Sequence, residues 1–376
     1  MVNRLTTAGI HLNNFADNLA MIRNIVGNEV AMMVVVKANA YGHGIEKMSE
    51  AAILAGASYL GVVSLGELKR IRSAGIVTPV LIMNYVDKDS LQEVMQLDGS
   101  IMVMDSDVLD VAAFVSETLH KVLKIHIKID TGMHRAGCSP DQLLKLVEKI
   151  ESSPYLELEG LFTHFAESEA CDVTFTQAQL TIFNECIESL GHRDERPLLL
   201  HCANSAAIVA FPETHFNLVR PGLIAYGHNP FSKNHPQHSF VENNFKPTLT
   251  LKTQVIFVRS IEPGETVGYN RLWTAKRKST IALLPVGYGD GYRRSPHNAG
   301  RVLIGDQYAP IVGTVTMDQT VVDVTDIEHV EVGQEVILLG VQKSRSITAE
   351  DLADACGTVS YEILTSLSDR IERSYL

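Results

Sequence analysis

The sequence lacks the features of several protein classes. Its five cysteines are widely spaced and form no Cys-x-x-Cys pair, as expected of free thiols in a reducing cytoplasm. No apolar run approaches the roughly 20 residues that span a bilayer, and the first residues lack the apolar stretch of a signal peptide. With a net charge of −12, neither nucleic acid nor an anionic membrane is an expected partner. We therefore expect a cytoplasmic protein, and the sequence predicts no metal site.

What is present is typical of a globular protein with two or three domains, since 45% of the 376 residues are hydrophobic and 20% are charged. Short apolar segments alternate with amphipathic helical stretches in the first part of the chain. The segments predicted as strands are 30–36, 59–63, 79–83, 101–104, 122–129, 157–163, 198–202 and 216–220. This alternation predicts a (β/α)8 barrel. A doubly wound sheet is the alternative, but no glycine-rich dinucleotide fingerprint follows the first strand.

The pattern changes from about residue 245, where strand-like runs recur with turn residues between them. These runs are 248–258, 266–269, 280–285, 300–304, 310–315, 320–324 and 335–339. They predict a separate all-β domain. The segment 229–246, rich in Pro, His, Ser and Asn, is interpreted as the linker. The predicted domains are therefore 1–240, the barrel, and 241–376, the C-terminal β domain.

The most informative segment runs from Val34 to Gly44. A buried apolar strand stops at Lys37 and is followed by the loop residues Asn-Ala-Tyr-Gly-His-Gly. A lysine at the end of a buried strand is placed to be desolvated, which disfavours its ammonium form. The neutral amine that results is what a Schiff-base lysine requires. The alternative for an isolated lysine is a side chain that simply reaches water.

The fifth predicted strand is polar on one face. Lys124, His126, Lys128 and Asp130 share that face by alternation. Polar residues in a barrel interior are costly unless they are paired. From the spacing alone, a face turned into the barrel and a face turned toward solvent are equally acceptable.

The loops after the seventh and eighth strands are where barrels commonly bind phosphate. Asn204-Ser205 offers a hydroxyl at a helix start, and Arg220-Pro-Gly222 allows backbone amides to approach an anion. For Ser205 alone, a plain helix cap is the alternative. Together with the strand-end lysine, this predicts a cofactor that carries both an aldehyde and a phosphate. A phosphate-sugar enzyme with a Schiff-base lysine would share both features, but it would need its lysine on a later strand.

Six segments resemble the signature motifs of bacterial alanine racemases, which use pyridoxal 5′-phosphate (PLP). They are Lys37-Ala-Asn-Ala-Tyr41-Gly-His-Gly, Asp130-Thr-Gly-Met-His-Arg135, Val219-Arg220-Pro-Gly222, Gly287-Tyr288-Gly-Asp-Gly-Tyr-Arg, Met317-Asp318-Gln319 and Ser360-Tyr361-Glu-Ile-Leu. The resemblance extends from Asn13 to Tyr375. It implies a barrel followed by a β domain, and an enzyme that interconverts L- and D-alanine and supplies D-alanine for peptidoglycan.

The resemblance also implies a role for each residue at the cofactor. Lys37 would bind PLP covalently, and Arg220 would face its pyridine nitrogen. The residues implied to hold the phosphate are Tyr41, Ser205, Tyr361 and the amides of Gly222 and Leu223. Arg135 would contact the phenolate oxygen of PLP and the substrate carboxylate. Lys128 matches a position that family members carry as a carbamate, an anion able to hold Arg135, and this favours the inward orientation of the fifth strand.

Racemisation requires a base on each face of the α-carbon. By the resemblance, Lys37 serves one face and Tyr269 the other, with His164 between that tyrosine and Arg220. The residues implied to come from the partner subunit are Tyr269, Tyr288 and Met317, with Asp318 in support. A homodimer is therefore implied.

Two positions depart from the family pattern. Many members have Cys or Ser where this chain has Thr316, and Ala where it has Gly289. Both bear on side-chain specificity, so a racemase of the same fold that prefers serine or a larger amino acid remains an alternative. A PLP-binding protein without turnover would not need Tyr269 or Met317. A fold-related decarboxylase should lack Arg220.

Overall fold

The computed structural model describes residues 5–191, 197–294 and 300–376, and it divides into two compact units. The barrel unit contains Phe15–Ala40 and Ile45–Lys246. The C-terminal unit contains Pro247–Leu376, together with Tyr41–Gly44 and the chain up to Asn14. The sequence predicted one boundary, between residues 240 and 241. In the structure, the boundary in this part of the chain follows Lys246, and two earlier segments join the C-terminal unit.

Eight parallel strands form the sheet of the barrel unit. The first strand of the chain, β1 (Thr7–Ile10), lies in the C-terminal unit. The barrel strands that follow are β2 (Ala31–Val35), β3 (Tyr59–Val62), β4 (Val80–Ile82), β5 (Gly99–Val103), β6 (Leu123–Lys128), β7 (Leu156–Phe162), β8 (Leu199–His201) and β9 (Leu218–Val219). Neighbours in the chain pair from β2 to β8, and β9 returns to pair with β2. This order is that of a (β/α)8 barrel, which confirms the predicted fold class.

Helices before, between and after these strands carry apolar residues at helical spacing. In Leu143–Glu151, for example, the buried residues recur three and four positions apart, as a helix packed on a sheet requires. The other helices are Leu12–Val26, Ile45–Leu54, Leu65–Ser73, Leu91–Gln96, Leu109–Leu119, Thr174–Ser189, Ser205–Ala210 and His238–Asn244. Within the described residues, no helix has both the length and the apolar character needed to cross a membrane.

A side chain completes the ladder between β8 and β9, whose backbones do not pair directly within the described residues. Asn217 Oδ1 accepts from the Leu200 N–H at 2.7 Å, and Asn217 Nδ2 donates to the Leu198 carbonyl at 2.8 Å. Just beyond, the Arg220 N–H donates to the Ala203 carbonyl at 3.0 Å. The side-chain amide of Asn217 therefore supplies the hydrogen bonds that a backbone would supply where the barrel closes.

The C-terminal unit consists mainly of antiparallel sheets. Its further strands are β10 (Leu249–Gln254), β11 (Phe257–Ile261), β12 (Thr266–Val267), β13 (Trp273–Thr274), β14 (Ser279–Leu284), β15 (Arg301–Ile304), β16 (Gln307–Pro310), β17 (Thr320–Asp323), β18 (Glu335–Gln342), β19 (Arg345–Ile347) and β20 (Glu372–Tyr375). The largest sheet has the order β16-β15-β18-β10-β1-β20, with β19 on β18. Smaller sheets are β11-β14-β17 and β12-β13. Only β1 and β20 pair in parallel among the described strands of this unit.

Several details of this unit differ from the sequence prediction, among them the start of one strand and the presence of helices. A strand was predicted at 310–315, but β16 begins at Gln307, directly after the turn Gly305-Asp306. Both turn residues have positive φ, 58° and 70°, as a two-residue hairpin requires, so the strand starts earlier than its apolar run suggests. The unit also contains two helices, Ala349–Cys356 and Ser360–Thr365, which the prediction of an all-β domain omitted.

Candidate active site

Lys37 lies just beyond β2 and is half-buried. Burial lowers its pKa, and the positive charges of Arg135 and Arg220 act in the same direction, while the negative Glu67 opposes them. A neutral amine is therefore more accessible here than at an exposed lysine. The strand-end lysine that the sequence singled out is in this way placed for nucleophilic or basic chemistry.

The chain after Lys37 forms one turn of left-handed helix. Residues 38–41 have φ of 52°, 55°, 52° and 52°, and the Ala40 N–H donates to the Val36 carbonyl at 2.9 Å. None of these residues is glycine, and each pays a steric cost of roughly 1–2 kcal/mol in this conformation. Such a turn persists only where its surroundings determine it.

Two side chains hold this turn within the barrel unit. Glu67 Oε1 accepts from the Ala38 N–H at 2.7 Å, and Glu67 Oε2 accepts from the Val63 N–H at 2.8 Å. Asn39 Oδ1 accepts from the Ile45 N–H at 3.0 Å and from Arg70 Nη2 at 2.8 Å. These contacts fix the backbone from which Lys37 projects.

Arg220 is buried after β9 and is held by carbonyls and imidazoles. Nη1 donates to the carbonyl and to Nδ1 of His201, at 2.6 and 3.1 Å. Nη2 donates to the carbonyls of Thr163 and Cys202 and to His164 Nδ1, at 2.9, 3.1 and 3.3 Å. Burial lowers the pKa of Arg220 to about 10, which still leaves it protonated at neutral pH. The remaining donor, Nε, is not used in these contacts.

Lys128 and His126 are both buried on β6, so the polar face of this strand is turned inward at these positions. Burial lowers the pKa of Lys128 to about 8, and the nearby charges of Arg135 and Arg220 contribute to this. Lys128 Nζ and the Arg220 guanidinium lie over the ring of Phe162, 5.9 and 5.5 Å from its centroid. The face of one aromatic ring therefore contacts two cations.

A chain of hydrogen bonds continues from Arg220 through the barrel interior. His201 Nε2 is 2.9 Å from His126 Nδ1, and His126 Nε2 is 2.9 Å from Glu159 Oε2. Burial lowers the pKa of both histidines. Burial and the charge of Arg220 likewise hold the pKa of His164 well below its usual value. These imidazoles are therefore neutral at physiological pH.

The hydroxyl of Ser205 and the backbone N–H groups that follow Arg220 lie close together. The N–H groups of Gly222 and Ile224 both donate to Ser205 Oγ, at 3.2 Å. The Leu223 N–H opens the short helical turn Leu223–Tyr226, so it has no acceptor within that turn. Backbone amides and a hydroxyl that converge in this way suit a phosphate group.

In the C-terminal unit, Tyr41 and Tyr361 lie side by side, with ring centroids 6.1 Å apart. Burial raises the pKa of Tyr41, and the neighbouring Tyr361 adds to this effect. The hydroxyl of Tyr41 is therefore protonated and able to donate. A hydroxyl that donates is what a phosphate ligand requires.

Tyr288, Met317 and Asp318 come together elsewhere in the same unit. The N–H groups of Tyr288 and Gly289 donate to the carbonyls of Thr316 and Met317, at 3.0 and 2.8 Å. Asp318 Oδ1 accepts from Arg370 Nη2 at 2.5 Å. The side chains of Tyr288 and Met317 are 48% and 55% exposed, and that of Tyr269 is 71% exposed.

The two departures from the family pattern are accommodated locally. Thr316 Oγ1 donates to the Gln319 carbonyl at 2.9 Å and caps the turn that carries Met317. A Cβ at Gly289 would lie 2.2 Å from Arg370 Nη1, so the arginine occupies the space that an alanine here would need.

PLP fits the residues of the barrel unit. Lys37 supplies an amine for its aldehyde, the donors around Ser205 suit its phosphate, and the buried Arg220 offers a fixed cation for its ring nitrogen. By contrast, the described residues contain no group of three or more His, Cys, Asp or Glu side chains that could hold a metal ion.

Several supporting residues were not singled out from the sequence. Glu67 and Glu159 carry hydrogen bonds that hold Lys37 and the buried histidines, respectively. Glu67 lies two residues into a helix, where it looks like an ordinary first-turn acid. The sequence offers only a weak indication of Glu159. Like the polar face of β6, a charged residue within a barrel strand must be paired if it faces the interior.

Comparison with known proteins identifies the family of the chain. The family model described as alanine racemase, N-terminal domain, matches residues 10–230, and that described as alanine racemase, C-terminal domain, matches residues 248–375. An alanine racemase of Clostridium perfringens is 40% identical over 98% of this chain and 94% of its own length, and one of Treponema denticola is 36% identical over 99% and 98%.

Solved structures show the same likeness. The alanine racemase of Bacillus anthracis with bound L-Ala-P has a TM-score of 0.92 at 31% identity and covers 100% of this chain and 96% of that chain. The alanine racemase of Clostridium difficile 630 has a TM-score of 0.91 at 30% identity, with coverages of 100% and 97%. The chain therefore belongs to the alanine racemase family, a family of PLP-dependent isomerases.

Proposed function

We propose that this chain interconverts L- and D-alanine by a two-base mechanism. The observation that carries the proposal is Lys37, a half-buried amine of lowered pKa in the same barrel as Arg220 and the Ser205 donors. PLP, when bound, withdraws electrons from the α-carbon of an amino acid and so makes its proton acidic. The residues of the chain then orient the amino acid and carry that proton.

Inversion needs two bases, because a proton removed and returned on one face restores the starting enantiomer. Lys37 is the proposed base on one face. Tyr269 of the partner subunit is the proposed base on the other face, and its 71% exposure suits a group that completes a site in a second copy. A tyrosine ordinarily keeps its proton up to a pKa of about 10. Since His164 Nδ1 accepts from Arg220, its proton lies on Nε2, where it can stabilise a tyrosine phenolate.

The remaining residues hold the cofactor and the substrate. The proposed phosphate ligands are Ser205, the amides of Gly222 and Leu223, Tyr41 and Tyr361. Arg220 is proposed to face the ring nitrogen of PLP and, because an arginine keeps its proton, to leave that nitrogen unprotonated. Arg135 is proposed to bind the phenolate oxygen and the substrate carboxylate. Lys128 is proposed to carry a carbamate, whose negative charge holds Arg135.

We further propose that the active form is a cytoplasmic homodimer that supplies D-alanine for peptidoglycan. The domain at 241–376 then gives Tyr269, Tyr288 and Met317, supported by Asp318, to the site of its partner. Three large side chains exposed on one unit favour this arrangement, since exposed apolar and aromatic groups commonly mark an interface. The net charge of −12 argues against a nucleic acid partner.

The test follows the circular dichroism of the amino acid over time. Purified protein with PLP is incubated with L-alanine, and separately with D-alanine. We expect the signal to decay to zero from either enantiomer. Lys37→Ala and Tyr269→Phe should each abolish the decay, because each removes one of the two bases.

Tyr85→Phe is the matched control, since it removes the hydroxyl of a tyrosine that is 62% exposed in the barrel unit. It should racemise alanine like the unsubstituted protein. A protein that binds PLP and leaves the signal of alanine unchanged would contradict the proposal. Decay with serine alone would reassign the substrate.

A further inference from the structure

Glu159 is a carboxylate within the barrel sheet that no proposed catalytic step uses. On β7, Leu158 lies opposite Ile125 and Gly160 lies opposite His126, so Glu159 is an extra residue between two pairs. Such a bulge re-aims the side chain of the strand that contains it. The side chain of Glu159 is only 10% exposed, and it contacts His126 of the barrel interior at 2.9 Å.

The residue after Glu159 clears the space for this contact. A Cβ on Gly160 would lie 2.5 Å from His126 Nδ1 and 2.6 Å from the Leu199 carbonyl oxygen. Both distances are shorter than real Cβ atoms show, and the second atom belongs to backbone. Any other residue at this position would therefore displace His126.

The hydrogen bonds that connect Arg220 to Glu159 all donate in the same direction. Arg220 Nη1 can only donate, so His201 Nδ1 must accept and His201 must carry its proton on Nε2. That proton is donated to His126 Nδ1 at 2.9 Å, so His126 also carries its proton on Nε2. The acceptor of this last proton is Glu159 Oε2, at 2.9 Å. No other assignment satisfies all three contacts.

The same hydrogen bonds also connect the positive charge of Arg220 to a negative charge. The contacts described for Arg220 are carbonyls and imidazoles, and none is a carboxylate. Glu159 is the anion at the far end of its hydrogen bonds. A buried cation that is compensated through neutral, polarised groups costs less than one without any anion.

Glu159 is kept ionised by several donors. Its Oε2 accepts from Tyr59 at 2.5 Å and from Ser100 at 3.0 Å, and its Oε1 accepts from Lys124 at 2.7 Å. Burial acts to raise the pKa of Glu159, but the hydrogen bonds of His126, Lys124 and Tyr59 outweigh it and lower the pKa to about 2.

We infer that Glu159 is a positioning residue for Arg220, which fixes the tautomers of His126 and His201 and supplies the anion for the guanidinium. Glu159 touches neither substrate nor cofactor. The inference rests on the proposed place of Arg220 at PLP. Without Glu159, the proton of His126 Nε2 loses its acceptor, and Arg220 alone would hold the tautomers of both rings, so the acceptor that faces Arg220 is fixed from one end only.

The first readout is ¹⁵N NMR of the holoenzyme labelled in histidine, with His126→Asn and His201→Asn used to assign the signals. In the unsubstituted protein, we expect both rings to be neutral and protonated on Nε2. Glu159→Leu removes the acceptor and should change the signals of both rings. Glu159→Gln keeps an acceptor oxygen and should preserve both tautomers, although it removes the charge.

The second readout is the turnover of alanine. We expect Glu159→Leu to lower kcat by about tenfold or more, as when an outer partner of a functional imidazole is lost, with a smaller change in KM. Glu159→Gln keeps the acceptor oxygen and loses the charge, so it should recover the part of that loss that comes from the tautomers, and the part that remains measures the contribution of the anion. Glu157→Gln, which removes the same charge two residues earlier on β7, is the matched control and should behave like the unsubstituted enzyme.

These outcomes separate the inference from the proposed function. An Nδ1-protonated ring at either position in the unsubstituted protein would overturn the inference even if Glu159→Leu failed to fold. So would Glu159→Leu kinetics equal to those of Glu157→Gln. The unsubstituted enzyme reports on racemisation by itself, so a failure of the proposed function would appear there and not in the comparison of variants.

Discussion

At the scale of single residues, Lys128 is the least expected side chain in the barrel. It is buried beside the ring of Phe162, and the positive charges of Arg135 and Arg220 act against its ammonium form more strongly than the carboxylate of Asp130 favours it. A buried cation among cations is costly. Conversion to a carbamate replaces that cation by an anion and removes the conflict.

The chemistry predicts how the carbamate depends on pH. The neutral amine of Lys128 forms a bond from Nζ to the carbon of CO₂, and a proton leaves to solvent. Because only the neutral amine reacts and the pKa of Lys128 is lowered to about 8, the modified fraction should rise as pH increases from 6.5 to 8.5 at constant dissolved CO₂. With ¹³CO₂, we expect a carbonyl-region ¹³C NMR signal that grows over this range.

Lys128→Ala should abolish the signal. Lys121→Ala is the control, since Lys121 lies just before the same strand, with its side chain 43% exposed and paired with Asp98 at 3.0 Å. Its removal should leave the signal in place. A ¹³C signal that survives Lys128→Ala would show that CO₂ binds elsewhere.

Sequence alone could predict residues at strand ends better than residues inside strands. Lys37, Ser205 and Arg220 each follow an apolar run, where side chains converge at one edge of a barrel. Glu159 lies inside β7, and the alternation Leu-Glu-Leu-Glu suggests a solvent face. The bulge that turns this side chain inward depends on the pairing of β7 with β6, which the local sequence does not encode.

At the scale of elements, the left-handed turn after Lys37 concentrates backbone strain beside the reactive amine. Four residues with φ above 50° are held by the carboxylate of Glu67 and by Asn39. The sequence indicated a loop here from Tyr-Gly-His-Gly. It did not predict the handedness, because alanine and tyrosine rarely adopt this conformation.

We expect Glu67→Gln to loosen this turn. The carboxylate accepts from two backbone N–H groups, whereas an amide can accept with only one of its two atoms. The free energy of unfolding should fall by about 1.5–3 kcal/mol, the range for hydrogen bonds to a charged group. The shift of the urea midpoint, at an unchanged slope, measures this loss.

Glu93→Gln is the matched control on the neighbouring helix. Glu93 pairs with Lys69 at 2.8 Å, and both side chains are 46% exposed. An exposed pair of this kind contributes about 1 kcal/mol or less. If both substitutions shifted the midpoint equally, the carboxylate of Glu67 would not be what holds the turn.

A strand can be predicted from the sequence when its own residues form a recognisable pattern. The eight barrel strands were predicted to within a few residues, because parallel strands buried on both faces appear as apolar runs. β1 and β20 were not predicted. Each has only four residues. The two strands are far apart in the sequence and pair with one another, so neither is marked by an adjacent turn and partner strand in the sequence.

At the scale of the whole molecule, the two proposed bases belong to different compact units. Lys37 is in the barrel unit, and Tyr269 is exposed in the C-terminal unit. If Tyr269 acts in the site of a partner, each site of a two-fold dimer takes its lysine from one chain and its tyrosine from the other. This arrangement can be tested without any structure of the dimer.

Mixing two inactive variants gives the decisive comparison. Lys37→Ala and Tyr269→Phe subunits are denatured together, refolded with PLP and assayed with alanine. A mixed dimer then contains one site with both substitutions and one site with neither. With random pairing, half the dimers are mixed and half of their sites are intact, so we expect roughly a quarter of the unsubstituted activity to return. The same variants refolded separately should remain inactive, and a monomer with both bases in one chain would recover nothing on mixing.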